Sequence, residues 1–117
     1  MKDRPLISII TVVYNDKVWL ERTVKSVIKQ TYSDIEFIVI DGGSTDGTLD
    51  VIRKYEDSIN YWASEKDDGL YDAMNKGIFQ ASGDFVNFLM AGDTIKEKDS
   101  LENVSKQLTD FSKSYFS

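Results

Sequence analysis

The run Leu6–Tyr14, LISIITVVY, constrains this chain more than any other segment. It is rich in β-branched residues and nearly continuous in apolar character. A strand that shows one face to water alternates apolar with polar, whereas a strand covered on both faces has no need to. The run therefore predicts a central strand of a parallel sheet with helices on both sides. Ser8 and Thr11 interrupt it, and it falls far short of the ~20 residues a membrane helix requires.

The remaining pattern alternates accordingly. Leu20, Val24, Val27 and Ile28 recur at helical spacing within 17–31, after Asn15 and Asp16 as capping residues. Ile35–Ile40 (IEFIVI) reads as a second buried strand, and the Gly-rich loop Asp41–Thr48 follows it. Leu49, Ile52 and Tyr55 mark a short helix, and Ile59–Ala63 a third strand. After the polar loop Ser64–Gly69, the series Leu70, Ala73, Met74, Gly77, Ile78, Ala81 steps by three and four, with Gly83 placed to stop the helix. Asp84–Leu89 is a fourth strand and Met90–Thr94 another loop. Asp99 with Glu102 resembles a capping box, and Leu101, Val104, Leu108 and Phe111 give a last amphipathic helix. The order βαβαβαβα predicts an α/β fold, a Rossmann-like parallel sheet with flanking helices, in one domain over 1–117. Such sheets bind ligands at the carboxyl ends of their strands. Tyr14–Asp16, Asp41–Asp46 and Gly92–Asp93 put polar, acidic loops at three of those ends, and Glu65–Asp68 follows the remaining strand.

Composition narrows the chemistry. The chain contains no Cys and no His, which excludes disulfides, thiolate catalysis, imidazole acid–base chemistry, and Cys- or His-ligated metals. A net charge of −6 argues against a nucleic-acid partner, which calls for basic surface. Neither G-x-G-x-x-G after the first strand nor a Gly-Lys P-loop is present. No secretory h-region follows Met1–Arg4, and the absence of Cys fits a cytoplasmic setting. The Asp41–Gly47 loop reads either as a capped turn or as a close-approach surface for a ligand, with Asp41 accepting a hydrogen bond from a base or ribose. Asp93 reads either as a solvated or capping carboxylate or as a ligand of Mg²⁺ or Mn²⁺, hard cations that take oxygen donors. Glu65, Asp67 and Asp68 read as a solvated charged run, Tyr14 as either core or a base-stacking ring, and Trp19 and Trp62 as packing residues.

Several motifs then coincide in order. Ile7–Asn15 (ISIITVVYN), Val27–Tyr32 (VIKQTY), Glu36–Thr48 (EFIVIDGGSTDGT), Ser64–Gly77 (SEKDDGLYDAMNKG), and Ala81–Asp84 with Phe88–Asp93 (ASGD, FLMAGD) together resemble family-2 glycosyltransferases of the GT-A fold, over roughly Pro5 to Thr94. The resemblance implies a nucleoside-diphosphate-sugar donor (UDP-, GDP- or dTDP-linked), a divalent cation, Mn²⁺ or Mg²⁺, and transfer with inversion to a glycan or lipid-linked acceptor. Carried over by position, Tyr14 and Asp41 contact the base with Val12 and Val13 lining its pocket, Asp68 and Asn75 sit near the ribose, diphosphate or donor sugar, and Asp93 binds the metal. Asp84, at the start of its strand, reads as a structural cap.

Three departures qualify the match. Gly42 stands where the family often carries a second acid, and Asp93 alone remains of its acidic metal motif, so metal affinity leans on the donor diphosphate. The family's general base, which takes the acceptor proton, and its acceptor-binding segment are expected beyond Ser117, so no residue of this chain is assigned a catalytic role. The chain is expected to be a truncated GT-A-type sheet that binds donor, to self-associate through the exposed edge of its last strand, and to be membrane-associated in a full-length form. The competing reading is a non-catalytic nucleotide-binding or receiver-like signalling module, a small parallel α/β unit that would carry a phospho-accepting Asp after its third strand.

Overall fold

The computed structural model describes residues 4–116, with side chains described through residue 108. Met1–Asp3 and the side chain of Phe111 lie outside the described residues. Four strands, β1 (Ile7–Val13), β2 (Ile35–Asp41), β3 (Tyr61–Ser64) and β4 (Phe85–Phe88), form one sheet in the order β3-β2-β1-β4. Every pairing is parallel, with Ile7 opposite both Ile35 and Phe85, and Ile38 opposite Tyr61. The helices are α1 (Lys17–Ile28), α2 (Thr48–Lys54), α3 (Leu70–Gln80) and α4 (Ser100–Phe116), with a 3-10 turn at Glu56–Ser58.

The strand order dictates where the helices go. The crossovers β1-α1-β2 and β2-α2-β3 step in one direction, and β3-α3-β4 steps back past β1. Right-handed crossovers therefore place α1 and α2 on one face and α3 on the other. Side-chain alternation on β1 serves both faces. Ile7, Ile9 and Val13 pack with Leu20, Val24 and Val27 of α1, Ile52 of α2 and Leu101 of α4. Ile10 packs with Ile38, Ile40 and Ala73 of α3. Full burial of a Leu or Val side chain contributes roughly 1.5–3 kcal/mol, and Leu20 and Val24 are both fully buried.

Some local expectations are corrected. Asp16 makes no side-chain cap on α1. The Lys17 amide instead donates to Asp46 Oδ2 at 3.3 Å. Strand β3 begins at Tyr61 rather than Ile59, because the Ile59 amide closes the 3-10 turn onto the Glu56 carbonyl at 3.1 Å. Helix α3 ends at Gln80, ahead of Gly83, and Ala81 is already extended. Gly83 serves the sheet instead, where its amide donates to Ser8 Oγ at 2.9 Å. Asp84 has the structural role expected of it, accepting the Leu6 amide at 2.8 Å. Nearby, Glu36 accepts Ser8 Oγ at 2.7 Å and the amide and hydroxyl of Ser82 at 2.8 and 2.7 Å. Burial pushes the Glu36 carboxyl up, but these bonds outweigh it and hold it below the usual carboxylate range.

Gly77 marks the closest approach of α3 to the sheet. A Cβ there would stand 2.4 Å from Cγ2 of the fully buried Ile10. Alanine is favoured over glycine in a helix by roughly 1 kcal/mol, yet overpacking a filled core costs about 1–3 kcal/mol. Gly77→Ala is expected to destabilise the chain, read as a lower midpoint in urea unfolding with an unchanged slope.

Candidate functional site

The reversal of strand order falls between β1 and β4. Parallel α/β sheets open a crevice at such a point, at the carboxyl ends of the strands. A cleft of about 390 Å³ lies there. Val12 and Val13 from the end of β1 and Ala73 from α3 give it an apolar base, Met90 and Ala91 after β4 form a wall, and Asp16 and Asp67 supply carboxylates. Tyr14, 63% exposed, and Leu70 stand at its mouth. The exposure of Tyr14 decides between its two readings in favour of an accessible ring and against core packing.

The loops after β1 and β2 are locked to each other. Asn15 takes up a left-handed conformation, φ 48°, which asparagine tolerates better than most residues. Its Oδ1 accepts the Thr45 amide at 2.7 Å, and its own amide donates to Ser44 Oγ at 2.8 Å. Asp46 serves two helix N-termini. It accepts the Lys17 amide of α1 and, at 2.9 Å, the Thr48 amide of α2, and also takes the Thr48 hydroxyl. These are the donors a helix leaves unsatisfied at its start. The Thr48 hydroxyl bond, opposed by partial burial and joined by the two amides, holds the Asp46 carboxyl below the usual range.

Asp41 is wholly buried under this loop. Its Oδ2 accepts the Gly43 amide at 3.2 Å, the Ser44 amide at 2.9 Å and Ser64 Oγ at 2.7 Å, and its Oδ1 takes the Ser44 hydroxyl. Both loops at the ends of β2 and β3 are thus tied to one carboxylate. The absence of a side chain at Gly42 also has a geometric consequence. A Cβ there would lie 3.1 Å from Asp67 Oδ2 and 3.4 Å from Tyr14 Cδ1. Asp67 therefore approaches the position where the family often carries a second acid, a contact the reading of 65–68 as a solvated run did not anticipate.

The turn carrying Asp93 is held from α1. Thr23 is fully buried. Its hydroxyl accepts the Gly92 amide at 3.0 Å and lies 2.7 Å from the Asp93 carbonyl, to which it donates. One helical turn on, Ser26 Oγ accepts the Ile95 amide at 3.1 Å, and Gln30 reaches the Glu97 carbonyl at 2.8 Å and the Leu101 amide at 3.0 Å. Thr23, Ser26 and Gln30 make a polar stripe that reads segment 92–101 by its backbone. Their i, i+3, i+7 spacing, along α1 and just past its end, is the sequence signal for this stripe.

Asp68 stands between Asp67 and Gly69, which line the Val12–Tyr14 cleft, while Asn75 lies away from it. Asp68 is exposed on the turn before α3, its amide donating to Asp72 at 3.0 Å. Asn75 lines a second, shallower cleft with Tyr61, Glu65, Lys76 and Phe79. There Lys76 bonds Glu65 at 3.1 Å and Asp72 at 3.3 Å, and the Glu65 bond raises its pKa. Trp62 packs against the larger core, whereas Trp19 is 46% exposed and stacks on Arg22. Among the described residues no group of three acidic side chains is gathered for a metal. Asp93 is exposed beside the cleft. One or two carboxylates, completed by phosphate oxygens and water, form a donor set suited to Mg²⁺ or Mn²⁺.

Residues 8–115 match the family model of glycosyl transferase family 2. The chain belongs to glycosyl transferase family 2. Its sheet is of the GT-A type seen in solved glycosyltransferases. An uncharacterised glycosyltransferase of Mycobacterium tuberculosis is 48% identical over 100 residues, covering 85% of this chain and 38% of that protein. The mannosyltransferase of Pyrobaculum calidifontis, solved in complex with GDP-Man and Mn²⁺, superposes with a TM-score of 0.82 at 27% identity, over 90% of this chain and 32% of that one. S. aureus TarS in complex with UDP-GlcNAc gives 0.80 at 28% identity, over 89% and 31%. The chain thus spans about two fifths of the length of the curated relatives it matches. Family membership displaces the receiver-like reading. The family-2 motifs of this chain map onto the loops just described: DGGSTDGT is the Asp41 and Asp46 bracing, and MAGD is the turn held by Thr23.

Two outcomes follow from this bracing. Thr23→Val leaves the half-buried Gly92 amide without its partner, a loss of about 1 kcal/mol. Hydrogen exchange is expected to accelerate at Gly92 and Ile95 more than across β1. The depressed Asp46 carboxyl stabilises the fold at neutral pH, and that contribution disappears as pH falls from the unfolded value of about 3.9 through the lower folded one. Asp46→Asn is expected to flatten the acid limb of a stability–pH curve, measured by thermal melts from neutral to acid pH.

Proposed function

We propose that this chain is the donor-binding part of an inverting glycosyltransferase that takes a nucleoside-diphosphate sugar and serves a glycan or lipid-linked acceptor. The observation that carries the reading is the convergence of Val12, Val13 and Tyr14 with the wall before Asp93 on one cleft at the strand-order reversal. The GDP-Man and UDP-GlcNAc complexes of the structurally similar proteins support the donor class. An exposed tyrosine ring beside an apolar floor suits a planar base, which stacks on an aromatic face and loses apolar surface to water.

Asp41 offers Oδ1 to the base once the Ser44 hydroxyl turns away from it, and until then keeps the Gly43–Ser44 turn in shape. Asp68, between the cleft-lining Asp67 and Gly69, meets the sugar end of a ligand that extends over the first turn of α3, and Asn75 is reached only by a ligand that continues to the second cleft. Asp93 would hold Mn²⁺ or Mg²⁺ together with the diphosphate oxygens. When bound, such an ion neutralises charge developing on the leaving diphosphate. The general base and the acceptor site are assigned to the part of the enzyme outside this chain. Val86, exposed on the edge strand β4, supports self-association through that edge, and the cytoplasm is the compartment proposed for the donor site.

Calorimetric titration with UDP, GDP and dTDP, with and without Mn²⁺, tests the reading. One diphosphate is expected to bind with Mn²⁺, Tyr14→Ala to weaken it about tenfold, consistent with one stacking contact of ~1–3 kcal/mol, and Asp93→Asn to remove the Mn²⁺-dependent part alone. Absence of binding by all three would overturn donor recognition in this chain, and Asp93→Asn titrating as wild type would overturn the metal assignment.

A further inference from the structure

A second cavity of about 370 Å³ runs between α1 and segment 94–98. Arg22 and Lys25 of α1 and Lys29 just past its end line one side, and Lys96 and Lys98 the other. No carboxylate lines it, although the chain as a whole carries −6. Among the described residues none of these five cations takes part in a salt bridge, and only Lys25 has a carboxylate, Glu21, acting on it from the same helix. Like charges held together in a folded chain repel, and the polar stripe that joins α1 to segment 92–101 keeps them close. That is a cost to folding which an anionic partner would remove.

Apolar side chains are exposed along the same helix: Val18, 58% exposed, falls in line with Arg22 and Lys25, and Trp19, 46% exposed, flanks them. The Trp19 ring stacks on the Arg22 guanidinium, 4.5 Å from its centroid. Cations with Val18 among them and Trp19 at their flank make the chemistry of an interfacial surface. The charges meet lipid phosphates while the indole and aliphatic groups enter the headgroup layer. A polyanion such as RNA would be drawn to the cations but would gain nothing from Val18, and the net negative charge elsewhere would repel its flanks.

We propose that the α1 face centred on Arg22, Lys25 and Lys29, flanked by Lys96 and Lys98, docks the protein on a membrane surface rich in anionic phospholipid headgroups. The geometry gives the contact a direction. Met90 and Ala91 wall the donor cleft, and Thr94 to Lys98, the next residues, wall the cationic groove. Docking therefore holds the cleft mouth close to the bilayer, where a lipid-borne molecule is within reach. The proposal does not rest on the sugar-donor reading, because membrane binding is measured with neither nucleotide nor metal present.

Co-sedimentation with vesicles tests it, comparing phosphatidylcholine alone with an equimolar mixture of phosphatidylcholine and phosphatidylglycerol. The protein is expected to bind the mixed vesicles at least about tenfold more strongly, with binding weakening as salt is raised. Lys25→Glu with Lys29→Glu is expected to lower that binding by about tenfold or more, and so is Lys96→Glu with Lys98→Glu, since each Lys near an anionic surface contributes on the order of a further severalfold. The pairs sit on different elements, so a folding defect in one, seen by circular dichroism, leaves the other to decide. Trp19→Ala is expected to weaken binding while preserving its salt dependence. Equal binding to the two vesicle types, or retention by the folded charge-reversed variants, would overturn the proposal. So would displacement by inorganic phosphate beyond that by chloride at matched ionic strength, which would indicate a soluble-anion pocket. Tighter binding to a single-stranded oligonucleotide than to mixed vesicles would reassign the face to nucleic acid.

Discussion

Burial of β1 on both faces and along both edges is the constraint on which the rest of the structure depends. Ile7, Ile9 and Val13 are committed to the α1–α2 side and Ile10 to the α3 side, with β2 and β4 paired to either edge. A strand buried in this way cannot shift register by one residue without moving both sets of apolar side chains to the wrong layer. Its carboxyl end therefore arrives at a fixed place, and the next strand out on each side fixes the walls around it. The cleft is a product of sheet topology before it is a product of any polar residue.

Polar side chains then convert that place into a shaped site. Each important loop is held by a buried or half-buried group acting on backbone amides: Asp41 on 43–44, Asp46 on the starts of α1 and α2, and Thr23 on 92–93. Amides are a dependable target because every residue but proline carries one, and because leaving one buried and unpaired costs free energy. Tyr14 and Asp93 are exposed, while Asp41, Asp46 and Thr23 are buried or half-buried and hold the loops around them.

Charge is segregated in the same molecule. Acidic groups gather at the carboxyl ends of the strands, with Asp16 and Asp67 in the cleft, while the outer face of α1 and segment 94–98 is cationic. Segment 90–98 borders both regions, so the two surfaces share one wall and are coupled in position. The two regions carry opposite charge side by side on one wall.

The sequence by itself determined the class of fold and the positions of its elements, because the periodicity of LISIITVVY, IEFIVI and the Leu70–Ala81 series is a direct record of which faces are buried. It also placed Val12, Val13, Tyr14 and Asp93 at strand ends and carried the family motifs. What it could not express was contact between residues distant in the chain. The cap of α1 by Asp46, the approach of Asp67 to Gly42, and the hold of Thr23 on Gly92 join positions 29, 25 and 69 residues apart. The separation of Asn75 from the Tyr14 cleft arises in the same way, since α3 lies between two crevices and turns that residue toward the other one. The grouping of Arg22, Lys25 and Lys29 with Lys96 and Lys98 is another case. Local pattern reports the environment of each residue along its own helix or strand. Only the packing of the strand order β3-β2-β1-β4 decides which loops become neighbours, and with them which carboxylates face a ligand and which hold the backbone.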